Sequence, residues 1–204
     1  MTDKKTSAVI CAYVRSPFTL ANKGALATVR PDDIGAQVIK GLMEKTGLAS
    51  DAVEDVICGC AFPEGEQGFN LGRQLVFLSG LDSMTGGVTV NRWCGSSMES
   101  IQMAAGKIAL GAGEVYIAAG VESMTRVPIG GFNPMPNPAL YEAMPEAYMN
   151  MGETAEEVAL LKGVSRKEME EFALTSHQKA AKADFGGEIV PITTESGETV
   201  DTDG

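Results

Sequence analysis

Cys94 is the side chain of this sequence best placed to do covalent chemistry, because it lies where a predicted strand passes into a predicted helix. Residues 87–90 have the pattern of a strand end, and residues 96–110 repeat small and apolar side chains at helical spacing. The unpaired N–H groups and the positive dipole end of a helix N-terminus favour a thiolate over a thiol. Cys94 is therefore a candidate acyl acceptor. The alternative is a small buried hydrophobic residue at the junction, a common role for a free cysteine.

The positions of the remaining cysteines indicate that they are reduced thiols and that they form no metal site. Cys11, Cys58 and Cys60 lie in or beside predicted strands, and the last two share one strand face by alternation. Zinc requires further ligands at a suitable spacing, and His177 is the only histidine of the chain. His177 lies in a polar stretch and is expected to face solvent.

Composition and charge exclude several classes of partner. The chain has 204 residues, of which 44% are hydrophobic, enough for one core or for one domain with a large insertion. Residues 121–204 carry 6 basic and 15 acidic side chains, which gives −9 of the net charge of −11. Nucleic acids and anionic membranes require basic patches, so neither is an expected partner. No signal sequence or membrane-spanning run is evident, and we expect a cytoplasmic location.

The order of predicted elements indicates an α/β fold. Strand patterns occupy residues 8–14, 55–60, 87–90 and 115–120. Helical patterns separate them, one opening at Pro31, a short one over residues 71–79 and one after Cys94. Alternating strands and helices predict βαβ units around a mainly parallel sheet.

The pattern changes after residue 123. Five of the nine prolines and five of the eleven methionines lie within residues 124–151, which predicts a long irregular excursion with adaptable apolar surface. Two helices are predicted next, with capping boxes at residues 154–157 and 165–168, the second helix running to about Ala183. A short strand at 188–192 and a polar tail at 193–204 without core-forming residues complete the chain.

Several segments, taken together and in order, resemble the thiolase family, the acyl-coenzyme A acyltransferases that make or cleave 3-ketoacyl-CoA. The matching segments are residues 15–18, 68–73, 88–97, 118–124, 151–155, 172–178 and 188–191. The segment around Cys94 and the turn Glu122-Ser123-Met124 are specific to the family. The resemblance favours the nucleophile interpretation of Cys94.

The resemblance implies a fold and a reaction. The fold is an αβαβα layered sandwich of two similar α/β halves, with a loop domain inserted in the first half. Residues 1–122 would form the N-terminal half and residues 123–204 part of the loop domain. The reaction is ping-pong: Cys94 accepts an acyl group from a 3-ketoacyl-CoA or acetyl-CoA and passes it on as a thioester. Coenzyme A is then substrate or product, and no prosthetic group or metal is implied.

The resemblance also suggests substrate-binding residues. Met151 falls where the family has an acyl-pocket methionine, although a core methionine beside a capped helix is an equal alternative. Asn150 stands where many members have histidine, which puts in doubt a polar contact to the thioester and suggests a different acyl-length preference. Met124, in the specific turn, is assigned to the same substrate-binding group.

Three family motifs do not occur in these 204 residues: Gly-His-Pro with the activating base, Cys-x-Gly with the second cysteine, and the Asn-Glu-Ala-Phe type oxyanion segment. We therefore expect an N-terminal fragment that is a poor catalyst until a C-terminal thiolase half completes it, as a separate chain or a missing segment. A homodimer or tetramer of the complete enzyme in fatty acid metabolism is expected. The alternatives are a non-catalytic thiolase-like protein that binds acyl-CoA or acts as a scaffold, and a ketoacyl synthase-like condensing enzyme.

Overall fold

The computed structural model describes residues 7–204, which divide into two units. The first unit extends to Phe132 and also contains Gly186–Gly204, and the second is Asn133–Phe185. Residues 123–132 and Gly186–Gly204 thus belong to the first unit, whereas the sequence boundary lies between residues 122 and 123.

A parallel sheet forms the centre of the first unit. Its strands are β1 (Asp55–Gly59), β2 (Gly86–Val90) and β3 (Tyr116–Gly120), in the order β2-β1-β3. Every residue of β1 is buried, since this strand has a neighbour on each side and helices on both faces. The strands predicted at 55–60, 87–90 and 115–120 and the α/β class are confirmed.

Three helices cover the two faces of this sheet. Helices α1 (Pro31–Thr46) and α2 (Leu71–Ser79) pack on the face that carries Val56 and Cys58 of β1. Helix α3 (Ser96–Ala109) packs on the other face, against the backbone of Gly59. The core between the sheet and α1 and α2 includes Ala36, Ile39, Val53, Val56, Cys58, Cys60, Leu71, Leu75, Val76, Leu81 and Ile117.

The strand predicted at residues 8–14 is wrong. Among the described residues this segment pairs with no strand of the sheet, and its nearest ladder contact is a single bridge between Arg15 and Ile189. Val9 and Ile10 remain 74% and 75% exposed. An apolar run indicates that a segment prefers to be buried, but it does not show which strand the segment would pair with. The strand predicted at 188–192 is reduced to the same bridge and the start of the next strand.

The C-terminal segment contributes to a second core, contrary to the predicted polar tail. Strand β4 (Ile192–Thr193) pairs antiparallel with β5 (Thr199–Val200), and Ile192 lies opposite Val200. Both side chains are buried, in a cluster with Leu26 and Val29. Two apolar residues separated by a polar turn give no periodic signal, which is why the sequence pattern missed them.

Arg15 links the two ends of the first unit. Its guanidinium donates to both oxygens of Asp203, at 2.7 and 2.9 Å, and to Glu188 Oε1 at 2.6 Å. The Phe18 N–H donates to Asp203 Oδ1 at 2.8 Å. The hydrogen bonds from Arg15, and then that from Phe18, lower the pKa of Asp203 to about 2.

This lowered pKa predicts a pH-dependent contribution of Asp203 to stability. A carboxyl whose pKa is depressed in the folded state stabilises it above the ordinary pKa of 3.8, and the contribution is lost as the pH falls towards about 2. We expect Asp203→Asn to have a lower Tm than wild type at neutral pH. Near pH 2 the two Tm values are expected to converge. Thermal unfolding followed by circular dichroism measures this. Asp201→Asn, in the same exposed segment, is the control, and a Tm difference independent of pH would contradict the assignment.

The second unit is helical. It contains α4 (Pro138–Ala143), a 3-10 turn at Pro145–Tyr148, α5 (Met151–Lys162) and α6 (Arg166–Ala180). A further 3-10 turn, Gly65–Gln67, belongs to the first unit. Within residues 7–204 no helix is both long and apolar enough to cross a membrane.

The capping box predicted at residues 154–157 is wrong, because the N-cap of α5 lies four residues earlier. Asn150 is its N-cap: the Asn150 side chain accepts from the Glu153 N–H at 2.9 Å, and the Glu153 carboxylate accepts from the Asn150 N–H at 3.4 Å. Thr154 instead donates to the Asn150 carbonyl inside the first turn. The box of Ser165 and Glu168 is confirmed, and α6 ends at Ala180 rather than Ala183.

Candidate active site

The carboxyl ends of the three parallel strands meet at one edge of the sheet. Residues 60–62 follow β1, residues 91–95 follow β2 and residues 121–124 follow β3. Cys94 and Met124 both belong to these connections. In open α/β sheets this edge is the usual place for a ligand site.

A tight turn presents Cys94 to solvent. The Ser96 hydroxyl accepts from the Arg92 N–H at 2.9 Å and donates to the Trp93 carbonyl at 2.5 Å. Trp93 adopts a φ of 49°. Ser96 is buried, whereas Cys94 is exposed. The alternative that Cys94 is a buried hydrophobic residue at the junction is therefore wrong.

Helix α3 begins two residues after Cys94, as the sequence predicts. Gly95 is its N-cap, and no side chain of the described residues caps this end. The Ser96 N–H donates to the Trp93 carbonyl at 3.0 Å, and the positive end of the helix dipole lies directly after Cys94 in the chain. Glu99 in the first turn moderates that positive potential, and Arg92 pairs with Glu99 at 3.0 Å. The arrangement is able to stabilise negative charge close to the Cys94 thiol.

Two glycines allow α3 to begin directly on the strand ends. A Cβ added to Gly59, the last residue of β1, would lie 2.5 Å from the Ser96 carbonyl carbon. A Cβ added to Gly120, the last residue of β3, would overlap the side chain of Ser97. The absence of side chains at these two positions thus sets the height of the Cys94 turn above the sheet.

A polar cluster lies behind the turn. The Gln67 side chain is completely buried and donates to Glu122 Oε1 at 2.7 Å, while its oxygen accepts from the Ser123 N–H at 2.6 Å. Glu122 Oε2 accepts from the Ala61 N–H at 2.7 Å. Glu122 belonged to the specific turn noted in the sequence. Gln67 was missed, because a single glutamine in a loop gives no periodic signal.

Comparison with known proteins agrees with this geometry. A family model described as "Thiolase, N-terminal domain" matches residues 8–204. The chain belongs to the thiolase family. It is 49% identical over 198 residues to a 3-ketoacyl-CoA thiolase of Bacillus subtilis, covering 94% of this chain and 51% of that protein. A 3-ketoacyl-CoA thiolase of Saccharophagus degradans is 40% identical, with coverage of 89% and 46%.

The fold agrees as well. The dimeric peroxisomal thiolase of Saccharomyces cerevisiae superposes with a TM-score of 0.87 at 30% sequence identity, covering 98% of this chain and 54% of the yeast chain. The α/β arrangement is therefore thiolase-like. This thiolase-family chain spans about half the length of the curated relatives that it matches.

The cysteines of this thiolase-family chain differ in environment, which predicts an order of alkylation. Burial, and then the charges nearby, raises the pKa of both Cys58 and Cys60 to about 12. Cys11 and Cys94 are exposed. With iodoacetamide near neutral pH we expect rapid modification of Cys94, slower modification of Cys11, and almost none of Cys58 and Cys60 until the protein unfolds. Peptide mass spectrometry over time measures each rate. A Cys94 no faster than Cys11 would contradict activation by α3.

The other predicted site residues lie in different surroundings. Met124 is 53% exposed in the first unit, and Asn150 and Met151 begin α5 in the second. Met151 is 68% exposed, so the core-methionine alternative is wrong. His177 is exposed, as predicted. In the part of the chain that the structure describes, no three histidine, cysteine, aspartate or glutamate side chains cluster as metal ligands.

Proposed function

We propose that this chain carries the nucleophile of a thiolase-type acyl-CoA acyltransferase, and that the nucleophile is Cys94. One observation carries the proposal: an exposed thiol stands in front of the uncapped N-terminus of α3 at the carboxyl edge of a parallel sheet. Relatives of about twice this length that are named 3-ketoacyl-CoA thiolase support the reaction class.

The proposed chemistry is a two-step transfer. The Cys94 thiolate attacks the carbonyl carbon of an acyl-CoA or 3-ketoacyl-CoA, so that a new carbon–sulfur bond forms. The bond to the leaving group breaks, and coenzyme A departs as its thiol or acetyl-CoA departs after protonation of its α-carbon. In the second step a CoA thiol or the α-carbon of acetyl-CoA takes the acyl group from Cys94. A thioester intermediate keeps the acyl group activated throughout.

The chain offers apolar side chains and one side-chain amide for contact with substrate. Met124 in the first unit and Met151 in the second are each exposed, and each offers adaptable apolar surface to an acyl chain. The oxygen of the Asn150 side chain already accepts the N–H of Glu153 in the capping box. Its NH₂ group is left as the donor for a polar contact to substrate.

We further propose that a C-terminal thiolase half completes the site and that the complete protein is a cytoplasmic homo-oligomer. The family's general base and oxyanion donors contribute about 10²–10⁴ and 10²–10³ in rate respectively, so their absence predicts slow turnover by this chain alone. Exposed apolar side chains on α3, Met98 at 62% and Ile101 at 42%, support a covering partner. The dimeric yeast thiolase supports oligomerisation.

The native assembly is this chain together with the C-terminal half that completes it. Incubation of this assembly with acetyl-CoA tests the proposed nucleophile. We expect an acetyl adduct on the Cys94 peptide and its removal when free coenzyme A is added. Cys11, exposed on the same chain, is the internal control. Acetyl label on Cys11 in place of Cys94 would refute the assignment, and an assembly that binds acetyl-CoA without any adduct would indicate a binding or scaffold protein.

A further inference from the structure

The residue before Cys94 has an unusual backbone conformation. The φ of Trp93 is 49°, in the left-handed region that bulky L-residues seldom adopt. Such a conformation persists where its surroundings fix it from several sides. Because Trp93 directs the chain into Cys94, whatever fixes this conformation also fixes the thiol in front of α3.

Asn91 fixes Trp93 at its N–H, while the Ser96 hydroxyl and N–H donate to the Trp93 carbonyl. Asn91 Oδ1 accepts from the Trp93 N–H at 2.9 Å, and Asn91 Nδ2 donates to the Ala61 carbonyl at 2.9 Å. The rings of Trp93 and Phe62 also make an edge-to-face contact, with centroids 5.4 Å apart. Asn91 thus ties the turn after β2 to the segment after β1.

Glu122 and Gln67 hold the segment after β1, which contains Ala61. Ala61 donates its N–H to Glu122 and accepts the Asn91 side-chain amide at its carbonyl, so one residue joins the two contacts. Gln67 is fully buried and holds Glu122 with a hydrogen bond of 2.7 Å. The buried Gln67 amide would be left without this hydrogen-bond partner if Glu122 moved, which costs free energy. The position of the Glu122 side chain is therefore strongly determined.

Resting on the acyl transfer proposed above, we propose that Asn91, Glu122 and Gln67 are positioning residues for Cys94. The hydrogen-bonded chain from Gln67 to Asn91 holds Trp93 in its left-handed conformation and so keeps the thiol at the start of α3. These residues contact neither the thiol nor substrate in this mechanism; they act through the Trp93 backbone. Small misplacements of a reacting group cost large factors in rate.

Trp93 is the only tryptophan of these 204 residues, so the tryptophan fluorescence of this chain reports on this turn. We expect Asn91→Ala to shift the Trp93 emission maximum and raise its quenching by acrylamide. We expect acetyl uptake from acetyl-CoA at Cys94 in the native assembly to fall by about 10-fold or more. Asn137→Ala is the matched control, because it also removes an asparagine contact to a backbone N–H but lies in the second unit.

Two conservative variants separate positioning from general stability. Asn91→Asp keeps an oxygen for the Trp93 N–H but loses the donor to the Ala61 carbonyl, so we expect its Trp93 emission and its acetyl uptake to lie between those of wild type and Asn91→Ala. Glu122→Gln keeps the shape but leaves one oxygen for the two donors, Ala61 and Gln67, and is expected to resemble Asn91→Ala in a weaker form. It also replaces Asn91→Ala if that variant does not fold. Tm is measured for every variant.

The outcomes distinguish this inference from the proposed function. A wild-type assembly that takes up no acetyl group refutes the acyl transfer, while Trp93 emission in the variants still decides whether the chain of hydrogen bonds fixes the turn. Wild-type emission and wild-type acetyl uptake in both Asn91→Ala and Glu122→Gln would overturn the positioning role. Loss of uptake that follows Tm equally in Asn137→Ala would also overturn it, because that pattern indicates stability alone.

Discussion

Cys94→Ser in the native assembly is expected to lower acyl transfer from acetyl-CoA by about 10⁴-fold or more while leaving the fold intact. Serine has nearly the same shape, but its hydroxyl is hardly ionised near neutral pH and depends on a base to become nucleophilic. Loss of a nucleophile typically removes most of the catalytic rate. Steady-state transfer and the acetyl adduct on the residue-94 peptide measure the effect.

The matched control is Cys11→Ser, which changes the other exposed thiol. We expect wild-type transfer from this variant. Both variants alter exposed side chains, so their free energies of unfolding are expected to stay within about 0.5 kcal/mol of wild type. If Cys94→Ser retained wild-type transfer, acyl transfer would not proceed through this thiol, and Cys94 would have only a local structural role.

The central fold was predictable because its signals are local. β1 and β3 are short apolar runs bounded by turn residues, and α2 has the residues 71–79 expected from its pattern. The predicted strand at 8–14 failed for the opposite reason: its apolar residues show a preference for burial but no register, and pairing depends on a partner distant in sequence. The start of α5 was misplaced since Asn150 and Thr154 are both acceptable caps, each followed by a glutamate three residues later.

The position of Cys94 was predictable from the sequence, but the contacts that support it were not. Cys94 stands at a strand-to-helix junction that the sequence pattern locates by itself, and the structure places α3 there. The contacts of Gln67 and Asn91 depend on how three loops meet at the carboxyl edge. Such contacts join residues far apart in sequence, so no residue spacing within a single helix or strand predicts them.

Gly59→Ala is expected to destabilise the first unit by about 3 kcal/mol, near the upper end of the usual cost of overpacking. The added Cβ would lie 2.5 Å from the Ser96 carbonyl carbon and would also overlap the Ser97 N–H group. These are backbone atoms in the first turn of α3, so no side-chain rotation relieves the contact. Denaturant unfolding measures the loss of stability.

Gly106→Ala is the matched control, because it adds the same methyl group to the interior of α3, where nothing lies within 4 Å of the new Cβ. We expect this variant to gain about 0.5–1 kcal/mol, since alanine forms helix better than glycine. In Gly59→Ala the start of α3 must also move away from the sheet, and the iodoacetamide rate of Cys94 is expected to fall towards that of Cys11. Wild-type stability and a wild-type Cys94 rate in Gly59→Ala would show that the height of the helix above the strand ends is not set by this glycine.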